Sequence, residues 1–417
     1  TLAALGYRLA GSEQLWIPRL LSILFWLVGG IAVFLLGRDL SDANGGVAAA
    51  AFYTALQYGV IASRSFQPDP LLTAAITWAL WAIFRWQRRP TWGWAAAAGL
   101  LGGLAIFVKS TAVFFVGGAW LGMILFGVGL GKALRNPRVW VMALLTVLPY
   151  AVYHIYATAV LHLLQSQFSL RFFPQMWIDP VFYLRWLNLI ERVVGLPWLL
   201  IAAAGVFLIR DKAGRSLIAG AFAGYFIYGI VFSYQTSTHD YYHLPLIPLV
   251  GLGLAAGVAL AVEHLRGPRW LGSALVAALL VVFTVTNLWD ARTELKRADY
   301  RPQVALAEEV GALFQPQDRV VSIAPYYSYS ISYWGWVNAA NWPSTGDFDF
   351  RAMAGQEIDV QAAFSQATAG GDYFLVMDFT ELERQPAVKR ILAESYPLVK
   401  QTDQYMLYDL RRPLEKK

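Results

Sequence analysis

An acidic residue between two prolines is the first candidate for chemistry. Asp69 lies between Pro68 and Pro70, in a short turn that begins at Arg64 and separates two apolar stretches. Prolines limit the backbone here and disfavour helix at the residue before them. Acids next to membrane helices tend to be functional or paired. Such an acid would also cap the following helix and complement its dipole, so both roles remain open for Asp69.

A single lysine in the turn of an apolar hairpin is the second candidate. Lys109 lies in the segment Phe107–Thr111, between two strongly apolar stretches. An ammonium group is a compact point charge that suits a phosphate. The alternative is a lysine that merely extends its charged end to the membrane interface. Arg64 is a second basic group that would serve a phosphate in the same way.

A polar run before a proline-rich helix start is the third candidate. It contains His239, Asp240, Tyr241, Tyr242 and His243. The two histidines are four residues apart, so on a helix they would share a face beside the acid. A zinc site needs three strong ligands, which are not evident, and the metal stays unassigned. We expect hydrogen bonds to a phosphate or a sugar, with helix capping as the alternative.

A long segment from residue 161 to residue 195 mixes aromatic residues with arginine. It includes Arg171, Trp177 and Trp186. This mixture predicts a helix that lies in the membrane interface, and an aromatic anchor is the equal alternative. Arg171 is a further basic candidate in this segment.

The composition indicates which elements position these residues. The 417 residues are 57% hydrophobic and only 14% charged, whereas soluble proteins have about 25% charged residues. The net charge of +6 comes from scattered loop residues, so no nucleic-acid partner is expected. The absence of cysteine excludes disulfides and thiolate chemistry.

The apolar stretches predict a polytopic, mainly α transmembrane bundle, residues 1–289, followed by a soluble domain, residues 290–417. A spanning helix needs about 20 apolar residues. About ten spans are predicted, at 17–37, 46–63, 69–85, 94–108, 111–127, 138–160, 196–210, 215–234, 243–263 and 270–288. Lys and Arg cluster in alternate loops, which are cytoplasmic by the positive-inside rule. The candidate residues and the C-terminal domain then lie outside the cytoplasmic membrane.

The C-terminal segment predicts a small α/β domain. Strands are expected at 319–324 and 373–377, helices near 302–314, 359–369 and 380–394, and a hairpin at 398–408. It has no glycine-rich phosphate loop and no nucleophile elbow. We interpret the domain as a lid or acceptor-docking element. The aromatic run from Tyr326 to Trp334 would line a carbohydrate or pack against the membrane domain.

Short motifs along the whole chain carry a resemblance to a known family. They are the segment Gly11–Ser22 before the first span, Arg64 with Asp69-Pro70, Phe107-Val-Lys109-Ser, His239 to Pro248, and the α/β tail. In order and spacing they resemble the GT-C membrane glycosyltransferases, in the bacterial branch of the protein O-mannosyltransferases and the lipid A aminoarabinose transferase.

The resemblance implies transfer of a hexose or pentose from a polyprenyl-phosphate donor to a hydroxyl of a lipid, glycan or protein acceptor. It places Asp69 at the second acidic position of the family and Lys109 at a recurrent basic one. The main carboxylate of the family lies in an earlier outer loop, so we expect it upstream of Thr1. Inverting or retaining stereochemistry and divalent-metal use are both left open by the family.

Two other classes of protein compete with this interpretation. A transporter or flippase would carry acids within its spans and two related halves, and neither is evident. A non-catalytic scaffold that displays the C-terminal domain is separated from an enzyme only by an activity measurement.

Overall fold

The chain folds into two compact units, Thr1–Leu295 and Lys296–Lys417. The computed structural model describes residues 2–163, 171–265, 268–356 and 358–414. The helices of the first unit are α1 Leu2–Ala10, α2 Trp16–Leu40, α3 Ala43–Ala55, α4 Gln57–Ser63, α5 Asp69–Arg88, α6 Trp92–Val108, α7 Ala112–Gly122, α8 Leu130–Leu134, α9 Pro137–Ala159, α10 Pro180–Val194, α11 Leu196–Leu208, α12 Lys212–Val231, α13 Ser233–Thr238, α14 Leu246–His264 and α15 Arg269–Arg297. Shorter helical turns lie at Met123–Val128, Pro174–Ile178 and Asp240–His243.

The ten predicted apolar stretches all contain helix, but fewer helices meet the length of a full span. Among the described residues, five helices are long and apolar enough to cross a membrane, or up to seven if each bent pair counts as one span. Helices α6 and α7 are apolar but shorter than that limit. The number ten therefore stays a prediction, while a multi-pass membrane protein is indicated.

One bend divides the predicted span 46–63, and a second bend lies directly before the predicted span 196–210. Helices α3 and α4 meet at 59°, because Leu56 leaves the helical region with φ −54° and ψ 128°. The amide of Gln57 then finds its acceptor on α15, at Asn287 Oδ1, 3.0 Å away. Helices α10 and α11 meet at 84° at Gly195, whose φ of 79° suits glycine.

A close helix contact in the first unit joins α7 and α12. A Cβ added to Gly118 would collide with the backbone of Gly220 and Gly224, and one added to Gly220 would collide with the backbone of Gly118. Small residues of this kind let membrane helices approach closely enough for backbone contact. The two helices therefore pack with almost no side-chain layer between them at this level.

The second unit is a doubly wound sheet with a terminal hairpin. Its strands are β1 Arg319–Ile323, β2 Asn338–Asn341, β3 Tyr373–Val376, β4 Leu398–Gln401 and β5 Met406–Asp409, in the order β2-β1-β3-β5-β4. Strand β1 is parallel to β2 and β3, and β5 is antiparallel to β3 and β4. Its helices are α16 Arg301–Gly311, α17 Tyr329–Trp334, α18 Thr345–Met353, α19 Val360–Ala367, α20 Phe379–Glu383 and α21 Pro386–Ser395.

Alternation along the strands divides the core of the second unit into two layers. Val321 and Phe374 pack in one cluster with residues of α19 to α21. Val320 and Leu375 pack in the other cluster with residues of α16 and α17. Side chains alternate between the faces of a strand, so helices cover both faces. The predicted strands and hairpin are present, and β2 is an additional strand that the sequence analysis did not identify.

Candidate functional site

A buried ion pair joins the first two candidate residues. Lys109 Nζ donates to Asp69 Oδ1 over 2.8 Å. The carboxylate side chain is 3% exposed and the lysine side chain 20% exposed. Charges leave water only when they are paired or bonded. Asp69 is also the acidic residue in the first turn of α5, so the ion pair and a favourable position at the helix dipole occur together.

The course of two neighbouring helices explains why residues so distant in sequence meet. Helix α5 begins at Asp69, and a short connection after Arg88 leads into α6, which ends at Val108. At about 1.5 Å per residue, α5 and α6 extend about 30 Å and 26 Å. They pack side by side, so the start of α5 and the end of α6 lie at the same end of the pair. Lys109 then lies in extended conformation, before α7.

Two tyrosine rings cover the lysine ammonium. Lys109 Nζ lies 4.1 Å from the ring centre of Tyr242 and 5.2 Å from that of Tyr241. The two rings stack on each other, with centroids 4.7 Å apart. A cation is attracted to the face of an aromatic ring, more strongly where water is excluded. The turn Asp240–His243 therefore covers the Lys109 side of the ion pair.

A second ion pair anchors the same turn. Asp240 Oδ2 lies 3.4 Å from Nη1 of Arg192 on α10, and the side chain of Tyr58 is close enough to interact with Asp240. Neither Arg192 nor Tyr58 stands out in the sequence as a partner of Asp240. Tyr58 is inside a stretch that reads as apolar span, and Arg192 resembles an ordinary interfacial arginine. The one available signal was a hydroxyl in the middle of a predicted span.

The two histidines of the polar run have different environments. His243 is fully buried, and its Nδ1 lies 2.8 Å from the Tyr225 hydroxyl while its Nε2 lies 2.9 Å from the carbonyl oxygen of Thr236. A carbonyl only accepts, so Nε2 carries the proton and Nδ1 accepts. Both ring nitrogens are thus occupied by protein groups. In this arrangement His243 holds the turn in place, and its contact with a phosphate or sugar stays a prediction.

His239 lies at the end of α13, in extended conformation, and not on a helical face shared with His243. Its Nδ1 is 2.7 Å from the Thr238 hydroxyl, and its ring meets those of Tyr241 and Tyr242 edge to face. Burial lowers the pKa of His239, opposed by the charge of Asp240 and aided by that of Lys109. The ring is therefore neutral at pH 7 and offers one donor.

The predicted arginines are placed differently from the lysine. Arg64 ends α4, five residues before Asp69, and is half-buried without an ion pair among the described residues. Arg171 is half-buried and directly follows residues 164–170, which lie outside the described residues, so its role stays a prediction. Over the part of the chain that the structure describes, no group of three His, Asp or Glu residues could hold a metal.

The larger cavities of the first unit lie away from the ion pair. A polar cavity of about 540 Å³ is lined by Asp39, Arg88 and Asp211, and Arg88 is at the opposite end of α5 from Asp69. An apolar groove of about 470 Å³ is lined by Phe52, Trp198 and Phe283. The polar cavity therefore lies at the opposite end of α5 from the ion pair.

A family comparison matches the N-terminal part of the chain. A family model described as dolichyl-phosphate-mannose-protein mannosyltransferase matches residues 1–156, a range that includes Asp69 and Lys109. No curated protein matches the chain in sequence.

Solved structures match almost the whole chain in fold. ArnT from Cupriavidus metallidurans bound to undecaprenyl phosphate has a TM-score of 0.57 at 16% identity, over 97% of this chain and 86% of that one. The oligosaccharyltransferase AglB from Archaeoglobus fulgidus, in complex with an inhibitory peptide and a dolichol-phosphate, has a TM-score of 0.55 at 10% identity, over 97% of this chain and 65% of that one. The family model covers the first 156 of the 417 residues, and the solved structures, at 10–16% identity, show that this chain shares their fold. Together with the apolar helices, the comparisons indicate a multi-pass membrane protein.

Proposed function

We propose that this protein transfers a sugar from a polyprenyl-phosphate donor to a hydroxyl group of a lipid, glycan or protein at the outer face of the cytoplasmic membrane. The observation that carries the proposal is the buried pair of Asp69 and Lys109 under the rings of Tyr241 and Tyr242. It combines a carboxylate, a cation and aromatic faces at one end of a helix pair.

Lys109 is the group that would stabilise the leaving phosphate. An ammonium has three N–H donors, and one of them is directed at Asp69. The others remain for phosphate oxygens, in a place where low dielectric strengthens the attraction. The half-buried Arg64 is a second cation for the same group. Arg171, Asp240 and His239 extend the candidate phosphate and sugar contacts, and Asp240 is already held by Arg192.

The transfer step has a simple balance. The acceptor oxygen forms a bond to the anomeric carbon of the sugar, and the bond from that carbon to the phosphate oxygen breaks. The phosphate keeps the electron pair, and the acceptor proton leaves to a carboxylate acting as general base. Asp69 would orient or accept in this step once phosphate binding draws Lys109 toward the donor.

The named neighbours support the choice of donor. ArnT was solved with undecaprenyl phosphate and AglB with a dolichol-phosphate, and the matching family is described by a dolichyl-phosphate sugar. All three involve a long isoprenoid on a phosphate. The outer orientation rests on the alternation of positive loops.

Donor consumption in a defined membrane tests the proposal. The protein in liposomes is given polyprenyl-phosphate hexoses and pentoses together with membranes of its own source as acceptor, and release of polyprenyl phosphate is measured. We expect Lys109→Met to lose about 10²–10³-fold in turnover, the range for removal of one charge-stabilising donor, and Lys109→Arg to keep part of it.

Lys132→Met is the matched control. Lys132 lies in the short helix α8, after the helical turn Met123–Val128, and its substitution should not change turnover. Unchanged turnover in Lys109→Met, with the protein folded, would remove Lys109 from the reaction. Absence of any donor consumption by the unaltered protein would favour a scaffold.

A further inference from the structure

The sheet of the second unit has a topological switch point with a cavity beside it. From β1 the chain crosses one face of the sheet through α17 to β2, and from β2 it returns across the other face through α18 and α19 to β3. Strands β1 and β3 are neighbours whose connections leave in opposite directions. In open α/β sheets, ligands bind outside the carboxyl ends of the strands at such a point. A cavity of about 220 Å³ lies there.

The backbone after β1 is held in an uncommon conformation at this cavity. Tyr326, Tyr327 and Ser328 have φ angles of 56°, 55° and 64°. Non-glycine residues in the left-handed region are uncommon, and strained residues cluster at binding sites. The bend directs the two tyrosines to the cavity, where both side chains remain more than half exposed. Glycine would adopt this backbone conformation at a lower energy. We therefore infer that the tyrosine rings are needed at these positions.

The remaining walls combine a buried indole with two carboxylates. Trp342 is buried and donates from Nε1 to Gln385. Asp378 uses Oδ1 to cap α20, and Glu381 uses Oε1 for Thr345 and Gln385. Asp378 Oδ2 and Glu381 Oε2 have no hydrogen bond among the described residues. Burial acts to raise the pKa of Glu381, and the bonds from Gln385 and Thr345 outweigh it, so its pKa lies below the usual value.

The charge of the lining selects against anions. Two carboxylates line the cavity and no lysine or arginine does among the described residues. The volume is below the about 300–1,000 Å³ of sites for drug-sized ligands, so the cavity suits one small ring. Aromatic faces for C–H groups and carboxylate oxygens for hydroxyl groups are complementary to a sugar.

We propose that this cavity binds a single neutral sugar ring, which lies against Tyr326 and Tyr327 and donates hydroxyl hydrogen bonds to Asp378 and Glu381. The proposal does not depend on the glycosyl transfer proposed above, because all of the lining residues belong to the second unit.

Saturation-transfer NMR with the full chain in nanodiscs, free of glycoside detergent, tests the proposal. The probes are methyl glycosides of neutral hexoses and pentoses, with glucuronate and glucose 6-phosphate as anionic comparisons. We expect transfer to neutral sugars and none to the anions. Tyr326→Gly removes the ring and relieves the strained backbone, so it should weaken binding about tenfold, roughly 1.4 kcal/mol, without loss of thermal stability.

Tyr329→Ala is the matched control, because Tyr329 is an exposed tyrosine of α17 that does not line the cavity. Asp378→Asn keeps an oxygen to cap α20 and should weaken binding severalfold. The proposal is overturned if neutral sugars give no transfer, if anionic sugars bind equally, or if Tyr326→Gly binds as tightly as the unaltered protein.

Discussion

Two buried polar clusters in the membrane unit differ in how many of their hydrogen-bonding groups remain unused. In the first, Lys109 and Asp69 form an ion pair that still has free ammonium donors. In the second, the Trp186 indole donates to the Tyr225 hydroxyl over 3.1 Å, Tyr225 donates to His243, and His243 donates to the carbonyl of Thr236. Each hydrogen of that chain has an acceptor, and no charge is needed.

The difference separates a candidate site from a structural network. Buried polar groups are normally hydrogen-bonded, so burial and polarity do not indicate function by themselves. What distinguishes the ion pair is unused bonding capacity next to a charge. The histidine network has none, although histidine is the residue type that more readily suggests chemistry.

The largest expected effect is that of breaking the ion pair on one side. Lys109→Met leaves a buried carboxylate without its partner, and Asp69→Asn does the same to the ammonium. Removing one partner of a buried pair costs about 3–5 kcal/mol. We expect the free energy of unfolding, measured by SDS titration in mixed micelles, to fall by that amount in each single variant.

The double variant Asp69→Asn with Lys109→Met should recover most of that stability, because it buries no unpaired charge, yet remain inactive. Arg88→Met is a control for a more exposed pair, Arg88 with Asp211, where about 0–1 kcal/mol is expected. Recovery of activity in the double variant would show that the pair is only structural.

The next effect concerns the neutral network. His243→Leu leaves the Tyr225 hydroxyl without its acceptor and removes the His243 donor to the Thr236 carbonyl, and each buried unsatisfied group costs about 1–3 kcal/mol. We expect loss of thermal stability with unchanged affinity for polyprenyl phosphate, measured by titration of the lipid. A variant that keeps its stability and loses the affinity would return His243 to the binding site.

A smaller effect is expected from the aromatic cover of the lysine. Tyr242→Leu removes the nearer ring, and a desolvated cation–π contact is worth up to about 2 kcal/mol. Tyr241→Leu should cost less since its ring is farther, and Tyr242→Phe should cost least because it keeps the ring. Unfolding by SDS titration gives the order of the three variants. Equal losses in the free energy of unfolding would show that the rings do not stabilise the ammonium.

The smallest effect is a dependence on pH that comes from His239. Its pKa is lowered in the folded protein, so between that value and the unfolded value of about 6.5 the unfolded chain binds more protons. Stability then falls as pH decreases below about 6.5 and is unaffected above it. His239→Asn should flatten this part of the pH profile, and a profile that is unchanged by the substitution would contradict the assignment.

The sequence predicted individual residues better than their partners. Asp69 and Lys109 are conspicuous because charges are rare in apolar surroundings, but their contact depends on the packing of α5 against α6. The partners of Asp240 were missed, since tyrosine at position 58 and arginine at position 192 are ordinary in membrane proteins. The four-residue spacing of the histidines misled because α13 ends at Thr238 and a tighter 3₁₀ turn follows.

The fold shows the same division between local and tertiary information. The strands β1 and β3, which are rich in β-branched and aromatic residues, were predicted from composition. Strand β2, with the sequence Asn-Ala-Ala-Asn, has low strand propensity and exists because it pairs with β1. The left-handed run at Tyr326 to Ser328 has no composition signal at all, since none of those residues is glycine.

The glycine contact between α7 and α12 has a consequence for variation in this protein. Helix α7 starts three residues after Lys109, and α12 leads through α13 into the turn that carries Tyr242. The distance between the Lys109 ammonium and the Tyr242 ring therefore depends on how α7 and α12 pack at Gly118 and Gly220. Alanine is normally the gentlest replacement, but at these positions even one methyl group would force the helices apart. Harmful substitutions are therefore expected at these glycines, although glycine bears no functional group.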